Sequence, residues 1–379
     1  MRLLLNVNTG WFLISHRMEI ARAARDAGYE VHVCAGIESA DEEEKIRSEG
    51  FYLHRVNIDR SGLSPFRDLQ YLWQVRSVMK RICPDLVHNV TVKPIVYGTI
   101  AARAFSVPGV VNAVSGLGYA FGGGGSRKAV SFLVRSAYRV SLKGKGSGKI
   151  IFQNRDDLDA FVGAKIIERS QAVLIRGSGV DLDAFGYVEE SPGIPLVVFP
   201  GRMLRDKGVL EFVEAGQLLR QRGCRVKFAL AGKIDRGNPS SLGEEDMALI
   251  REESGVDWLG HVSDMASLLR RAHVVCLPSY YSEGLPKALL EACAAGRAIV
   301  TTDMPGCREA VRHGENGFLI EARSPRAIAD AVEVLIRDVD LRRKMGAAGR
   351  RIAESEFDVR SVVRATLDVY RSALCDCTM

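Results

Sequence analysis

Ala272-His-Val-Val-Cys-Leu-Pro-Ser-Tyr-Tyr-Ser-Glu-Gly-Leu-Pro-Lys-Ala-Leu-Leu-Glu291 reads as a strand, a loop and a helix in immediate succession. The apolar run up to Pro278 is the strand. Ser279 to Glu283 is polar and turn-like. Pro286 suits the first position of a helix and Gly296 the residue just past its end. A helix entered through Gly284, Leu285 and Pro286 aims free backbone N–H groups and the positive end of its dipole at the loop. An anionic group such as a diphosphate would sit there. Glu283 and Glu291 then offer acceptors for hydroxyl groups on either side of it.

The surrounding sequence repeats the strand–loop–helix order. Leu196-Val-Val-Phe-Pro200 is a strand, Gly201 to Lys207 a polar loop, and Gly208 to Arg222 a helix. Further strands are expected at Val226–Ala231, Val274–Leu277 and Ala298–Thr301. The first half shows the same pattern: Leu3–Val7, a helix from about Ser15 to Ala27, Glu30–Ala35, Leu86–His88, Val110–Val114 and Lys149–Phe152. Short β-rich runs alternating with helix-length segments indicate parallel sheets with crossovers, an α/β fold in two domains. Glu189-Glu-Ser-Pro-Gly-Ile-Pro195 breaks regular structure, which places the linker near 184–195.

In the loop Pro200-Gly-Arg-Met-Leu-Arg-Asp-Lys-Gly208, Gly201 precedes two cations, Arg202 and Lys207. It follows a strand end, where doubly wound folds bind ligands. Two fixed cations can stabilise a departing diphosphate without a metal. Gly232-Lys233 and Gly260-His261 close two later strands. In the first half, Thr9-Gly10 follow the opening strand, with His16 and Arg17 expected to open its helix. Asn89-Val-Thr-Val-Lys93-Pro and Ser115-Gly116-Leu-Gly-Tyr119 are also post-strand loops.

E-G-x-P-x-x-L-L-E after Leu-Pro-Ser, together with G-R-x4-K-G, resembles the signature of the retaining glycosyltransferases of family 4. The resemblance implies the GT-B fold, two Rossmann-like domains facing each other across a cleft. Its domains would be 1–186 for the acceptor, 187–357 for the nucleotide sugar, and 358–379 as a helix returning to the first. It assigns Arg202 and Lys207 to the leaving diphosphate, Glu283 to the transferred sugar and Glu291 to the ribose. Gly201, Gly232, Lys233, His261, Gly284, Leu285 and Pro286 complete the donor site. Thr9, Gly10, His16, Arg17, Lys93, Ser115 and Gly116 fall on the acceptor side. W-F-x-x-S-H-R, K-P-x-x-x-G and S-G-L-G-Y are closest to members that extend undecaprenyl-diphosphate-linked sugars for capsule, O-antigen or protein glycosylation. The expected reaction moves an N-acetylhexosamine from a UDP-sugar to such a lipid-linked saccharide, with no metal or other cofactor. Many family members carry a histidine after the strand ending at Val114, where this chain has Ser115. Two rivals are a UDP-N-acetylhexosamine epimerase of the same fold and a non-catalytic nucleotide-sugar binding protein.

The chain has 379 residues and a net charge of +6. Residues 1–180 hold 25 Lys and Arg against 16 Asp and Glu, so the basic excess lies in the first half. An anionic partner follows, and with no nucleic-acid module a membrane surface or phosphorylated acceptor is favoured. Gly122 to Ser126 reads as a loop that could close over the acceptor. The next helix carries Arg127, Lys128, Arg135 and Arg139 beside Val130, Phe132-Leu-Val134, Tyr138 and Leu142, an amphipathic pattern able to lie on anionic lipid. No apolar run suits a membrane-spanning helix and the start is too short for a signal peptide. The expected place is the cytoplasm, peripheral on the inner membrane. Cys34, Cys83, Cys224, Cys276 and Cys293 lie in apolar contexts and read as buried thiols. Asp157-Leu-Asp159 and Asp181-Leu-Asp183 fit D-x-D but lie apart from the other motifs.

Overall fold

The structure, a computed structural model, describes residues 1–59, 62, 64–117, 127–144, 148–281 and 283–375. It divides into two compact units, Met1–Ser178 with Arg360–Met379, and Gly179–Val359.

Unit 1 carries seven strands: β1 (Arg2–Thr9), β2 (Glu30–Gly36), β3 (Tyr52–Arg55), β4 (Leu86–Val90), β5 (Gly109–Val114), β6 (Lys149–Phe152) and β7 (Ala172–Leu174). They pair in parallel in the order β3-β2-β1-β4-β5-β6-β7. Its helices are α1 (Gly10–His16), α2 (Met18–Asp26), α3 (Ala40–Ser48), α4 (Pro65–Ile82), α5 (Val92–Ala104), α6 (Arg127–Leu142) and α7 (Arg155–Gly163). Unit 2 holds β8 (Leu196–Pro200), β9 (Lys227–Ala231), β10 (Asp257–Trp258), β11 (Val274–Leu277), β12 (Ala298–Thr302) and β13 (Gly317–Ile320). These too are parallel, in the order β10-β9-β8-β11-β12-β13. Its helices are α8 (Val209–Gln221), α9 (Glu244–Glu253), α10 (Met265–Arg271), α11 (Lys287–Ala294), α12 (Pro305–Ala310), α13 (Pro325–Arg337) and α14 (Val339–Ile352). The last helix, α15 (Val359–Cys375), packs in unit 1.

Parallel strands covered on both faces need apolar side chains at successive positions. β1 meets this with Leu3, Leu5 and Val7 on the side of α1, α2 and α15, and Leu4 on the side of α4 and α5. One polar row crosses this sheet. Asn6, Asn89 and Asn112 stand opposite one another on β1, β4 and β5. Asn6 donates to Asn89 over 3.0 Å, and Asn89 to Asn112 over 3.0 Å. Tyr71 donates to Asn6 (2.8 Å) and Thr99 to Asn112 (2.9 Å), so the row is closed at both ends. Gly98 makes room for it, since a Cβ there would lie 1.9 Å from Asn89 Oδ1. On the opposite face, His88 Nδ1 and the Tyr370 hydroxyl of α15 lie 2.6 Å apart. Burial, then the Arg17 charge, pushes the His88 imidazole down to about 3, so it is neutral and shares a hydrogen bond with the phenol.

The chain leaves unit 1 at Ser178, ahead of the linker stretch. Val180 N–H donates to Phe357 O (2.8 Å) and Val359 N–H to Val180 O (3.0 Å), which binds Gly179 onward to unit 2. Residues 188–195 lack regular structure, as expected, but are clamped to unit 2. Arg342 donates to Glu190 from Nε and Nη2 at 3.0 and 2.7 Å, Arg297 Nη2 to Val188 O at 2.6 Å, and His273 Nε2 to Ser191 O at 2.9 Å.

Several expectations are corrected. The first helix begins at Gly10, capped by Thr9, and breaks at Arg17 before continuing as α2. His16 therefore ends a helix. Pro286 is the cap of α11, one residue before its first turn. Gly296 follows the helix as expected, at φ +67°, with Gly296 N–H donating to Cys293 O and Arg297 N–H to Ala292 O, a Schellman closure. Cys34, Cys276 and Cys293 are buried, but Cys83 is exposed at the end of α4 and Cys224 is half-buried. The glycine run 122–126 and the side chains of Arg127 and Lys128 lie outside the described residues. Among those described, no helix is long and apolar enough to cross a membrane.

Candidate active site

In unit 2 the strand order reverses its direction of growth between the neighbours β8 and β11. Loops leaving the carboxyl ends of such a pair diverge and open a crevice that takes ligands. The loop after β8 supplies Gly201, Arg202 and Lys207. The loop after β11 supplies Glu283, Gly284 and Leu285.

These two loops are bonded together. Lys207 Nζ lies 3.1 Å from Glu283 Oε2, with only 12% and 17% of the two side chains exposed. Ser279 Oγ donates to the other Glu283 oxygen over 2.8 Å. Thr302 Oγ1 donates to Ser279 O, and Tyr280 N–H to Asp206 O over 3.0 Å. Gly208, at φ +81°, ends the short 3-10 turn Arg205–Lys207; a Cβ there would lie 2.4 Å from Pro278 O. Only glycine permits both that backbone and that approach. The result is a lysine and a carboxylate held at the crevice in fixed register. Arg202 pairs with Asp235 from the loop after β9. Gly232 lets that loop close on the first, because a Cβ would lie 1.8 Å from Gly201 O, and Trp258 Nε1 donates to Gly232 O over 2.9 Å. Lys233 and His261 are exposed on the loops after β9 and β10. Glu291, on α11, lies 3.7 Å from Lys287 Nζ; burial pushes its carboxyl up, and Lys287 opposes this.

Two residues here escaped sequence reasoning. Burial, then the Glu283 charge, pushes the Tyr281 phenol up, so it remains a proton donor beside that carboxylate. Arg323 places its guanidinium 4.5 Å from the centre of the Tyr280 ring, reaching the same loop from beyond β13. Tyr281 lay within the quoted loop; nothing in the sequence marked Arg323.

The corresponding reversal in unit 1 falls between β1 and β4. Thr9 Oγ1 accepts from Phe12 N–H over 3.1 Å and so starts α1. Gly10 packs closely, since a Cβ would lie 2.8 Å from Ile37 Cδ1 and 2.9 Å from Glu42 Oε2, the ends of two side chains that would have to move. His16 stacks on Phe12 with centroids 4.6 Å apart, and its Nδ1 lies 2.6 Å from Ser15 Oγ. Arg17 is buried between α1 and α2, donating to His16 O over 3.1 Å; burial lowers its pKa to about 10. Lys93 pairs with Asp68 at 2.6 Å and donates to Gly62 O at 2.8 Å. Ser115 and Gly116, the latter at φ +112°, follow β5, and the Ser115 hydroxyl is buried with no partner among the described residues. Thr91, directly after β4, has φ 76° and ψ 167°, a region that belongs to glycine. A β-branched residue there costs about 1–3 kcal/mol, and such strain gathers at working sites.

Residues 194–338 match the model for glycosyl transferases group 1, and residues 2–154 the model described as glycosyl transferase 4-like. The chain is 27% identical over 377 residues to the N,N'-diacetylbacillosaminyl-diphospho-undecaprenol alpha-1,3-N-acetylgalactosaminyltransferase of Campylobacter jejuni, with 96% of each chain covered. It is 25% identical over 376 residues to the capsular polysaccharide biosynthesis glycosyltransferase CapM of Staphylococcus aureus, with 92% of each covered. Anabaena HepE, solved with UDP and glucose, matches in fold with a TM-score of 0.77 at 19% identity, over 98% of this chain and 100% of that one. With both halves matched and two doubly wound units in series, the chain belongs to the family-4 glycosyltransferases of GT-B fold and is a hexosyltransferase.

Proposed function

We propose that the enzyme transfers an N-acetylhexosamine, with retention, from a UDP-sugar to an undecaprenyl-diphosphate-linked saccharide at the cytoplasmic face of the membrane. The observation that carries this reading is the Lys207–Glu283 pair at the strand reversal of unit 2, with Arg202 on the same loop as Lys207. The Campylobacter relative, by its name, acts on a diphospho-undecaprenol-linked sugar, and full-length coverage supports the same acceptor class here.

Lys207 and Arg202 stabilise charge on the departing diphosphate, and Glu283 orients the sugar hydroxyls. Glu291 holds the ribose. The bond from the anomeric carbon to the UDP oxygen breaks with its electron pair going to the diphosphate. The acceptor hydroxyl attacks the same face, and its proton passes to the departing phosphate oxygen. Cations of the chain do what a metal would do elsewhere, so none is needed. Ser115 and Gly116 present backbone and hydroxyl groups to the acceptor, with Ser115 standing where the family histidine is absent; Thr9 and Gly10 are buried and shape the first turn of α1.

The test is an assay of UDP-sugars with lipid-linked acceptors. The expected result is acceptor-dependent release of UDP and an axial linkage in the product for an α-configured donor. Conversion of the UDP-sugar without an acceptor would instead identify an epimerase, and an inverted linkage would overturn retention.

A further inference from the structure

The outer face of α4 carries Phe66, Leu69 and Trp73, which are 78%, 64% and 70% exposed. Their spacing of three and four residues stacks them in one stripe along the helix. The inner face is filled by Tyr71, Val75, Val78, Met79 and Ile82, so the core does not need the stripe. Three large side chains held in water on one helix face call for a partner.

The charges beside the stripe say which kind. Arg76, Lys80 and Arg81 are exposed on the same helix, Arg67 pairs with Asp59, and the helix's one acidic residue, Asp68, is held by Lys93. Trp, Phe and Leu flanked by Arg and Lys form the pattern of a helix lying in the plane of an anionic bilayer. Position agrees. The Asp68–Lys93 pair ties the first turn of α4 to the start of α5, two residues after the strained Thr91. The stripe therefore begins beside the strand reversal of unit 1. The helix expected to make this contact, α6, turns Tyr138 and Leu142 into the core, and its Arg139 donates to Ala164 O over 3.0 Å. Its exposed large apolar residues, among those described, are Phe132, Leu133 and Val140, in the same helix layer as α4.

We propose that Phe66, Leu69 and Trp73 of α4 insert into the headgroup region of an anionic lipid surface and so set unit 1 at the depth of a lipid-linked acceptor. This rests on the acceptor class proposed above, and its test needs no turnover. Trp73 serves as the probe. With phosphatidylglycerol vesicles, its emission should shift to the blue and be quenched by brominated acyl chains, and neutral vesicles should do far less. Phe66→Ser with Leu69→Ser should weaken binding at least about tenfold, a loss near 1.4 kcal/mol. The loss should persist in high salt, because it removes apolar contact rather than charge. Donor binding should be unchanged. Co-sedimentation equal to wild type in that double variant would overturn the proposal. So would a blue shift that grows with protein concentration in the absence of lipid, which would make the stripe an interface between copies. Failure of transfer to every lipid-linked acceptor, with the Trp73 shift intact, would overturn the acceptor class instead.

Discussion

Lys207 is the residue whose removal separates chemistry from folding most cleanly. It sits on a loop and, among the described residues, makes one ion pair, so Lys207→Ala should fold. Loss of a preorganised charge on a leaving group costs about 2.7–4 kcal/mol of barrier, roughly 100- to 1000-fold in turnover. Near-normal turnover in that variant would end the role assigned to it. The same logic predicts that turnover survives a chelator; abolition with rescue by manganese would mean that a carboxylate pair holds a metal after all. Asp157 gives a pH effect unrelated to catalysis. Burial pushes its carboxyl up to about 7, and its Oδ2 has no partner among the described residues. Below about pH 4 the group is neutral in both folded and unfolded chains and costs nothing. From there to pH 7 the unfolded chain ionises while the folded one does not, so stability falls by about 1.4 kcal/mol per pH unit. Asp157→Asn should therefore melt with wild type near pH 4 and several degrees above it at pH 8. An equal difference at both pH values would show that ionisation is not the cause.

Strands were the legible elements. A parallel strand covered on both faces is a continuous apolar run, so Leu196–Pro200 and Val274–Leu277 announced themselves. Legible too was the helix between Pro286 and Gly296, because its start and stop residues act locally. What could not be read depends on partners distant in the chain. Ser15–Ala27 looked like one helix because Gly10-Trp-Phe-Leu-Ile carries no polar face; the Thr9 cap and the break at buried Arg17 are tertiary outcomes. Glu283 and Lys207 were separately visible as candidates, but their 3.1 Å contact requires two loops that Gly208 alone allows to meet. The asparagine row was not foreseen either. Apolar strands with no alternation leave the register of a parallel sheet weakly specified. Hydrogen bonds among Asn6, Asn89 and Asn112 form in one register only, which gives the row its purpose. Asn89→Ala should cost about 2–5 kcal/mol, because it strands groups on both neighbours. Replacing all three by alanine should cost clearly less than the sum of the single changes, since no orphaned side-chain amide remains in the row. Additive losses in denaturant midpoints would show that the three asparagines act independently.

At the scale of the molecule, the two halves and the family were readable because the same strand–loop–helix rhythm restarts after residue 195. The completeness of each half was not. Unit 1 takes its last helix from the far end of the chain: Val362, Val369, Tyr370 and Ala373 fill its core, and Tyr370 holds His88. Ending the chain after Val359 should therefore open unit 1 to hydrogen exchange throughout β1 and β4, while unit 2 keeps its protection and binds UDP. Uniform loss of protection in both units would show that they fold as one. The same threading bears on how the protein is made. A ribosome delivers residues in order, so unit 1 emerges first yet cannot close. Unit 2, translated later, is complete sooner. For the time needed to synthesise residues 179–359 the nascent chain carries an uncovered apolar flank where α15 will dock. Chaperone demand during synthesis should fall on the half that was begun first.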